Sequence, residues 1–536
     1  MNTPRIWDKE VDIIVIGYGF AGAVAAIEAH DAGAQTLIME KERHPAGCSP
    51  AASGGIMCCN DAQKMFSYLR CSAAGRVPDA ILKEFCDELT KNEQYMRKLA
   101  EIDGATFRTP RSMKEMGGAI FDHEGREAMY VLMPDQIPGF TESPSWFPGA
   151  VKVAGIETGR VPGGMVLMKI LMDNVESRNI ELMYRTAGKK LVRDPETQDI
   201  LGVIAESEGK TLAVKARKAV ILACGGYENN QEFYKKFCQG IKYISYCHAS
   251  NTGDGITMAQ AVGADIGGMW NLHGSYGFEI PGFKTGFRHC GPAGNMGRYN
   301  RLRPTPWIVV DKMGSRYMNE FAPMGADLNH RPMEIFDGSL WMKPFYNPGD
   351  NGYPRIPSWV IFDEEGRNWG PIANTSWENY KWSQDNSEEV EKGWILKGNT
   401  LEELCDKINA DPDSEKKMDV HALRATLEKW NATLRSGVEF DEFRRGARSF
   451  YKPIEKAPYY AMKAWPLVTN THGGLTRDEK HRVLDVFGDP IARLYVAGEL
   501  GAMIRHVYET AANIGDCITS GRAAGRMAAA ETPINN

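Results

Sequence analysis

Val11-Asp12-Ile13-Ile14-Val15-Ile16 is apolar and β-branched enough for a buried parallel strand. At Gly17-Tyr18-Gly19-Phe20-Ala21-Gly22 the pattern breaks into spaced glycines, and from Ala23 to Ala32 it resumes as an alanine-rich helix with apolar residues at helical spacing. A second strand, Gln35 to Met39, ends at Glu40. Further on, the spacing predicts a helix over Gly163 to Asn174, a strand over Ile180 to Tyr184 and an alternating hairpin over Lys190 to Val214 with its turn at Asp194-Pro195-Glu196-Thr197. Lys218 to Leu222 reads as another buried strand, closed by the glycine turn Ala223-Cys224-Gly225-Gly226, and Asn251 to Ile256 opens a helix that Asp254 is placed to cap. Near the far end, Leu494-Tyr495-Val496-Ala497-Gly498-Glu499 is a further strand and turn, leading into a Gly/Ala-rich helix.

The first unit carries a recognisable chemistry. Gly17 permits the tight turn, Gly19 the approach of backbone to a pyrophosphate, and Gly22 close helix packing, so a phosphate sits on a helix N-terminus. Glu40, about twenty positions past the last glycine, suits a ribose 2′-hydroxyl and disfavours a 2′-phosphate. A dinucleotide fingerprint at one end and a second strand-turn-helix at the other point to a wrapped flavin. The small-residue run Gly47-Cys48-Ser49-Pro50-Ala51-Ala52-Ser53-Gly54-Gly55 holds neither a helix stripe nor a strand face, which suggests backbone pressed against a flat ligand.

Composition narrows the class. The 536 residues exceed one ordinary core, and 43% hydrophobic with 25% charged residues describes a globular protein. A net charge of −6 without a Lys/Arg run argues against nucleic acid or an anionic membrane as partner. Met1 to Glu10 has no apolar signal core and no eighteen-residue apolar stretch occurs, so a cytoplasmic location without membrane insertion is expected. The eleven cysteines lack C-x-x-C pairs, so no metal is expected, and the preferred reading is reduced, mostly buried thiols. A dithiol flavoenzyme would space a cysteine pair along one helix after the first unit, which Cys48 followed by Cys58 does not do.

Between about 271 and 455 the chain turns rich in Trp, Tyr, Pro and Asn. The expected architecture is α/β: a discontinuous Rossmann-like FAD-binding domain, residues 1–270 and 456–536, with an inserted α+β cap or substrate domain at 271–455. Gly291 to Gly297 lacks a G-x-G start, so no dedicated NAD(P)H domain is expected and electrons pass to or from an external acceptor or donor.

The motifs Gly17 to Gly22, Ser53-Gly54-Gly55, Ala223 to Gly226, Asn251 to Gly255, Met313 to Glu320, His472-Gly473-Gly474-Leu475 and Ala497-Gly498-Glu499 together resemble the fumarate reductase/succinate dehydrogenase flavoprotein superfamily, especially its 3-ketosteroid dehydrogenase branch. The resemblance implies FAD across the main domain, with substrate between the flavin ring and the cap. Cys48 stands where membrane-bound relatives carry a covalent flavin histidine, implying non-covalent FAD. Candidate cofactor contacts are Gly17, Gly19, Phe20, Ala21, Gly22, Glu40 and Lys41; Ser49, Ser53, Gly54 and Gly55; Ala223, Gly225, Asn251 and Asp254; Gly474, Gly498 and Glu499; and Ala512, Asn513 and Ile514 at a helix start whose N–H groups favour charge on the reduced flavin.

The proton-delivering arginine of the fumarate reductases is missing from Phe321 to Gly325. Tyr508, seven residues before Gly515, instead looks like the ketosteroid dehydrogenases, where a tyrosine hydroxyl and a backbone N–H hold the ketone oxygen and stabilise enolate charge. Thr510 and the Ala512 N–H are candidate companions. For proton transfer Tyr317, Tyr276, His273 and Tyr130 are candidates. Arg505, beside His506, suits a substrate carboxylate. The favoured activity is desaturation α,β to the ketone of a cyclic substrate, a steroid or a small oxo-cyclohexane-type ring, or its reverse. A fumarate- or urocanate-type reductase and a non-catalytic electron-transfer flavoprotein stay open beside it.

Overall fold

The computed structural model describes residues 4–45, 47–112, 123–147, 161–238, 240–289, 306–320, 352–375, 377–414, 417–443, 445, 452–501, 503 and 509–534. The elements that carry the site are, in chain order, β1 (Lys9–Ile16), α1 (Phe20–Asp31), β2 (Thr36–Met39), β3 (Lys210–Leu222), β4 (Leu272–Phe278), β5 (Tyr459–Thr471), β6 (Pro490–Val496) and α2 (Ala512–Ala529). The predicted helix at 163 runs Gly163–Ser177, and the predicted hairpin is Thr186–Arg193 with Ile200–Ser207, turning at Asp194.

One sheet is ordered Arg482–Leu484, β6, β3, β1, β2, Glu181–Met183. β6, β3, β1, β2 and Glu181–Met183 run parallel, so both faces of the sheet are buried and the strands read as near-continuous apolar runs. Their registers bring Ile16, Met39, Leu222 and Val496 level, so these strands finish at a common edge. Backbone bonds continue past it, from Gly17 N–H to Met39 O (2.8 Å) and from Ala223 N–H to Ile16 O (2.8 Å).

Helix α1 is buried almost throughout because α2 crosses it at contact distance. A Cβ at Gly521 would lie 2.8 Å from Ala21 O, and one at Gly525 would lie 2.5 Å from Ala25 O. Only hydrogens at these two positions let the helix backbones meet.

The second sheet is antiparallel over most of its pairings and is built on β5. β5 pairs with β4 through Leu272–Thr471 to Gly277–Trp465, and with Ser358–Asp363 along its first half. Ile244–Ser245 joins it in parallel. Among the described residues no helix is long and apolar enough to cross a membrane.

Candidate active site

The turns leaving the common edge, Gly17 to Gly19, Glu40 with Lys41, Ala223 to Gly225, and Ala497 with Glu499, wall a cavity of about 780 Å³. This is where parallel α/β sheets bind ligands. Gly17 takes φ +106°, and a Cβ there would lie 2.4 Å from Ala223 O. One at Gly22, which packs behind the cavity, would lie 2.0 Å from Gly17 O, so the turn and the helix it feeds accept no side chain at either place. The first-turn N–H of Phe20 donates to Ser49 Oγ (3.1 Å), which ties the loop after β2 to the mouth of α1; Ala21 lines the cavity beside it.

Glu40 reaches the cavity from the end of β2, its carboxylate accepting the N–H groups of Tyr18 and Glu42, both at 2.9 Å. Burial pushes its pKa up against those two hydrogen bonds. Lys41 bonds Asp254 at 2.6 Å. The expected Asp254 cap is corrected: Gly253, at φ +76°, is the helix N-cap, and Asp254 sits in the first turn facing Lys41 and Thr252.

The small-residue loop is held by close backbone contact. Gly54, at φ +82°, would press a Cβ within 2.4 Å of the Gly163 carbonyl carbon, while Ser53 and Gly55 line the cavity. Asn251 lies against both Gly47 and Gly225. At the other end Ala511, at φ +67°, turns the chain into α2, and Asn513 and Ile514 line the cavity with Thr510. Three expectations change here. Ala512 is buried behind the wall and its N–H donates to Glu509 O (3.0 Å), so it is not offered to a ligand. Gly474 pairs with Gly267 in a short antiparallel ladder rather than walling the cavity, and Gly498 packs behind it against Ala21.

Facing these turns is a wall of side chains from the second sheet: His273 from β4, Thr469 from β5, and Arg288, Tyr246 and Asn374. His273 Nδ1 lies 3.1 Å from Thr469 Oγ1. Arg288 donates from Nε to Ser275 Oγ (3.3 Å) and its guanidinium lies 5.1 Å from the Tyr246 ring centroid. The proton-transfer candidates therefore separate. Tyr276 points away from the cavity with its hydroxyl on Met318 Sδ (3.1 Å), Tyr317 is buried against Ser358 Oγ (2.7 Å), and the Tyr130 hydroxyl donates to Glu93 (2.8 Å). None of these three lines the cavity, and His273 is the one of the four that does. Tyr508, Arg505 and His506, with Gly291 to Gly297 and Phe321 to Gly325, lie outside the described residues. Arg288, Asn374, Tyr246 and Thr469 were missed; for the first two, the aromatic-rich composition after 271 was the one hint of a second wall.

The expectation of reduced thiols is overturned at two positions, because Cys48 and Cys247 form a disulfide. Both line the cavity. Beside them the Glu228 and Glu499 carboxyls are hydrogen-bonded to each other, Glu228 fully buried and Glu499 half-buried at the cavity; burial, and for Glu499 the neighbouring Glu228 charge, raises both pKa values. Asn251 Nδ2 donates to Glu228 (3.0 Å), and Thr471 donates to Glu499 from its backbone N–H (2.6 Å) and its hydroxyl (3.2 Å).

These residues fit FAD. A left-handed glycine turn feeds a helix whose N-cap, Gly19, brings no capping side chain, a carboxylate ends β2, and the opposite end offers a second helix start. The sequence family described as FAD binding domain matches residues 12–514. The chain is 26% identical to the 4-oxocyclohexanecarboxylate 2-dehydrogenase of Sinomonas cyclohexanicum, over 99% of this chain and 94% of that protein. It is 25% identical to the 3-oxosteroid 1-dehydrogenase of Mycolicibacterium smegmatis, over 96% of each. Its fold is similar to that of 3-ketosteroid delta1-dehydrogenase from Sterolibacterium denitrificans, solved in complex with 1,4-androstadiene-3,17-dione, with a TM-score of 0.72 at 20% identity over 97% of this chain and 100% of that one. The chain belongs to the FAD-binding family of fumarate reductases and ketosteroid dehydrogenases, and it is an FAD-dependent oxidoreductase of CH–CH bonds.

Proposed function

We propose that this enzyme desaturates a cyclic ketone at the α,β position, or runs the same chemistry backwards to reduce an activated C=C bond. The observation that carries the reading is that His273 and the start of α2 wall one cavity with the cofactor turns. A ketone oxygen near that helix start accepts hydrogen bonds from the Tyr508 hydroxyl and a first-turn N–H, which stabilises enolate-like charge. His273 takes the α-proton, its ring held by Thr469. Bound FAD supplies a two-electron acceptor for the hydride of the β-carbon. FAD is held non-covalently, since the Cys48 sulfur is already bonded to Cys247.

Arg288 on the second wall favours a ring that also carries a carboxylate, by charge-assisted hydrogen bonding. The 4-oxocyclohexanecarboxylate and 3-oxosteroid dehydrogenases among the relatives support a ring ketone, and of these the small oxo acid suits Arg288 better. The same arginine supports a second reading, reduction of an unsaturated carboxylate. Anaerobic mixing separates them. Rapid bleaching of the flavin band by 4-oxocyclohexanecarboxylate or a saturated 3-ketosteroid supports the desaturase. Reoxidation of reduced enzyme by fumarate or urocanate, with no bleaching by ketones, would replace it with the second reading.

A further inference from the structure

Cys48 belongs to the loop after β2, and Cys247 follows Ile244–Ser245 on the second sheet, so their bond joins the two walls of the cavity across 199 residues of sequence. Next to Cys48, Ser49 accepts the Phe20 N–H at the mouth of α1. Next to Cys247, the Tyr246 N–H donates to Val468 O on β5 (2.9 Å). The bond is therefore set between the cofactor turns and the substrate wall rather than at the molecular surface.

Its surroundings are those of a reactive group. Cys48 Sγ lies 3.6 Å from Glu228 Oε1 and 3.6 Å from Asn251 Nδ2, and Cys247 Sγ lies 3.0 Å from Thr469 O. Glu228 is the buried member of the carboxyl pair and reaches the sulfur, and Glu499 is the member that lines the cavity. Among the described residues no other disulfide forms: Cys58, Cys59, Cys71, Cys86, Cys224, Cys238, Cys405 and Cys517 are thiols. One disulfide among eight described thiols is more typical of redox chemistry than of a scaffold.

We propose that Cys48–Cys247 is a second two-electron redox centre of the enzyme, exchanging electrons with the FAD of the same cavity and a proton with the Glu228–Glu499 pair. In the reducing direction the disulfide takes up two electrons from the dihydroflavin anion, the S–S bond breaks and two thiols form. One proton leaves the dihydroflavin with the electrons, which restores oxidised flavin. The other passes from the carboxyl pair to the Cys48 sulfur and is replaced from solvent. The holoenzyme then stores four electrons where the flavin alone stores two. The inference rests on FAD as cofactor and not on the identity of the ketone.

The test is an anaerobic dithionite titration of holoenzyme, read by flavin absorbance, with alkylation and peptide mass mapping at each point. The expected result is four electrons per FAD, full bleaching being delayed until Cys48 and Cys247 become alkylated; Cys247→Ser bleaches fully at two. Glu228→Gln slows thiol formation roughly 10²-fold, the scale of a lost proton donor, while the bleaching amplitude stays. Wild-type enzyme that bleaches fully at two electrons with the S–S bond intact overturns the proposal, and this arm needs no variant to fold. Zinc found on both sulfurs of the protein as isolated also overturns it, since Cys48, Glu228 and Cys247 bring donor atoms within 4.8 Å of one another. Thiol formation at the wild-type rate in Glu228→Gln overturns the proton route.

Discussion

The two walls of the cavity are made of different material. On the first-sheet side, contact is made largely by glycine and alanine backbone, by the entrance of α1 and by Glu40, whose carboxylate is itself fixed by backbone N–H groups. On the second-sheet side it is made by side chains, His273 held by Thr469 and Arg288 laid against Tyr246. Backbone cannot be exchanged residue by residue, so the first wall suits a constant ligand. Side chains can, so the second wall suits whatever distinguishes one substrate from another.

The strongest way to break this contrast is Gly22→Val. A Cβ 2.0 Å from Gly17 O forces the turn apart, and the variant is expected to leave gel filtration colourless while keeping its far-ultraviolet circular dichroism. Stoichiometric flavin in that variant would show that the first wall is not backbone-built. Next in size, Tyr508→Phe keeps its FAD and loses about 10²–10³ in turnover, the usual effect of one donor to a developing oxyanion. Unchanged turnover removes Tyr508 from the reaction.

Arg288→Leu sharpens the contrast from the other side. Flavin content should stay, and KM for a carboxylated ring ketone should rise about 10–100-fold, the worth of a charged hydrogen bond. KM for a ketone without a carboxylate should not move; an equal rise for both would assign Arg288 to shape rather than charge.

The smallest effect concerns Asp516 on α2, whose carboxyl burial pushes up to about 7 despite the nearby Arg477. A carboxyl with a raised folded-state pKa contributes stability while protonated and loses it as pH climbs from the unfolded value near 3.8 through about 7. Melting temperatures of Asp516→Asn should therefore gain on wild type between pH 5 and pH 8. Parallel curves would mean that Arg477 compensates the charge.

The backbone wall was readable in the sequence because its signals are local: strand, glycine turn, helix and Glu40 lie within one short stretch. Asp254 was misjudged as a cap because the sequence shows the turn but not Lys41, which arrives from β2 to take the carboxylate. The side-chain wall depends on which face of a strand a residue takes, and neighbours differ: Ser275 turns to Arg288 while Tyr276 turns the other way, to Met318. Gly474 carries the family motif yet is spent on pairing with Gly267. Nothing in the spacing of Cys48 and Cys247 announces their bond, because it follows from Ile244–Ser245 joining β5, a contact that only the folded sheets create.

The glycine crossing of α2 on α1 sets an order of events during synthesis. While the ribosome is still making residues 32–511, α1 lacks the neighbour that covers Ala21 and Ala25, and until Val496 is made β3 lacks β6. The nascent nucleotide fold waits with an open apolar flank until its last helix emerges, so a stalled or shortened translation product should be a chaperone client rather than a smaller flavoprotein.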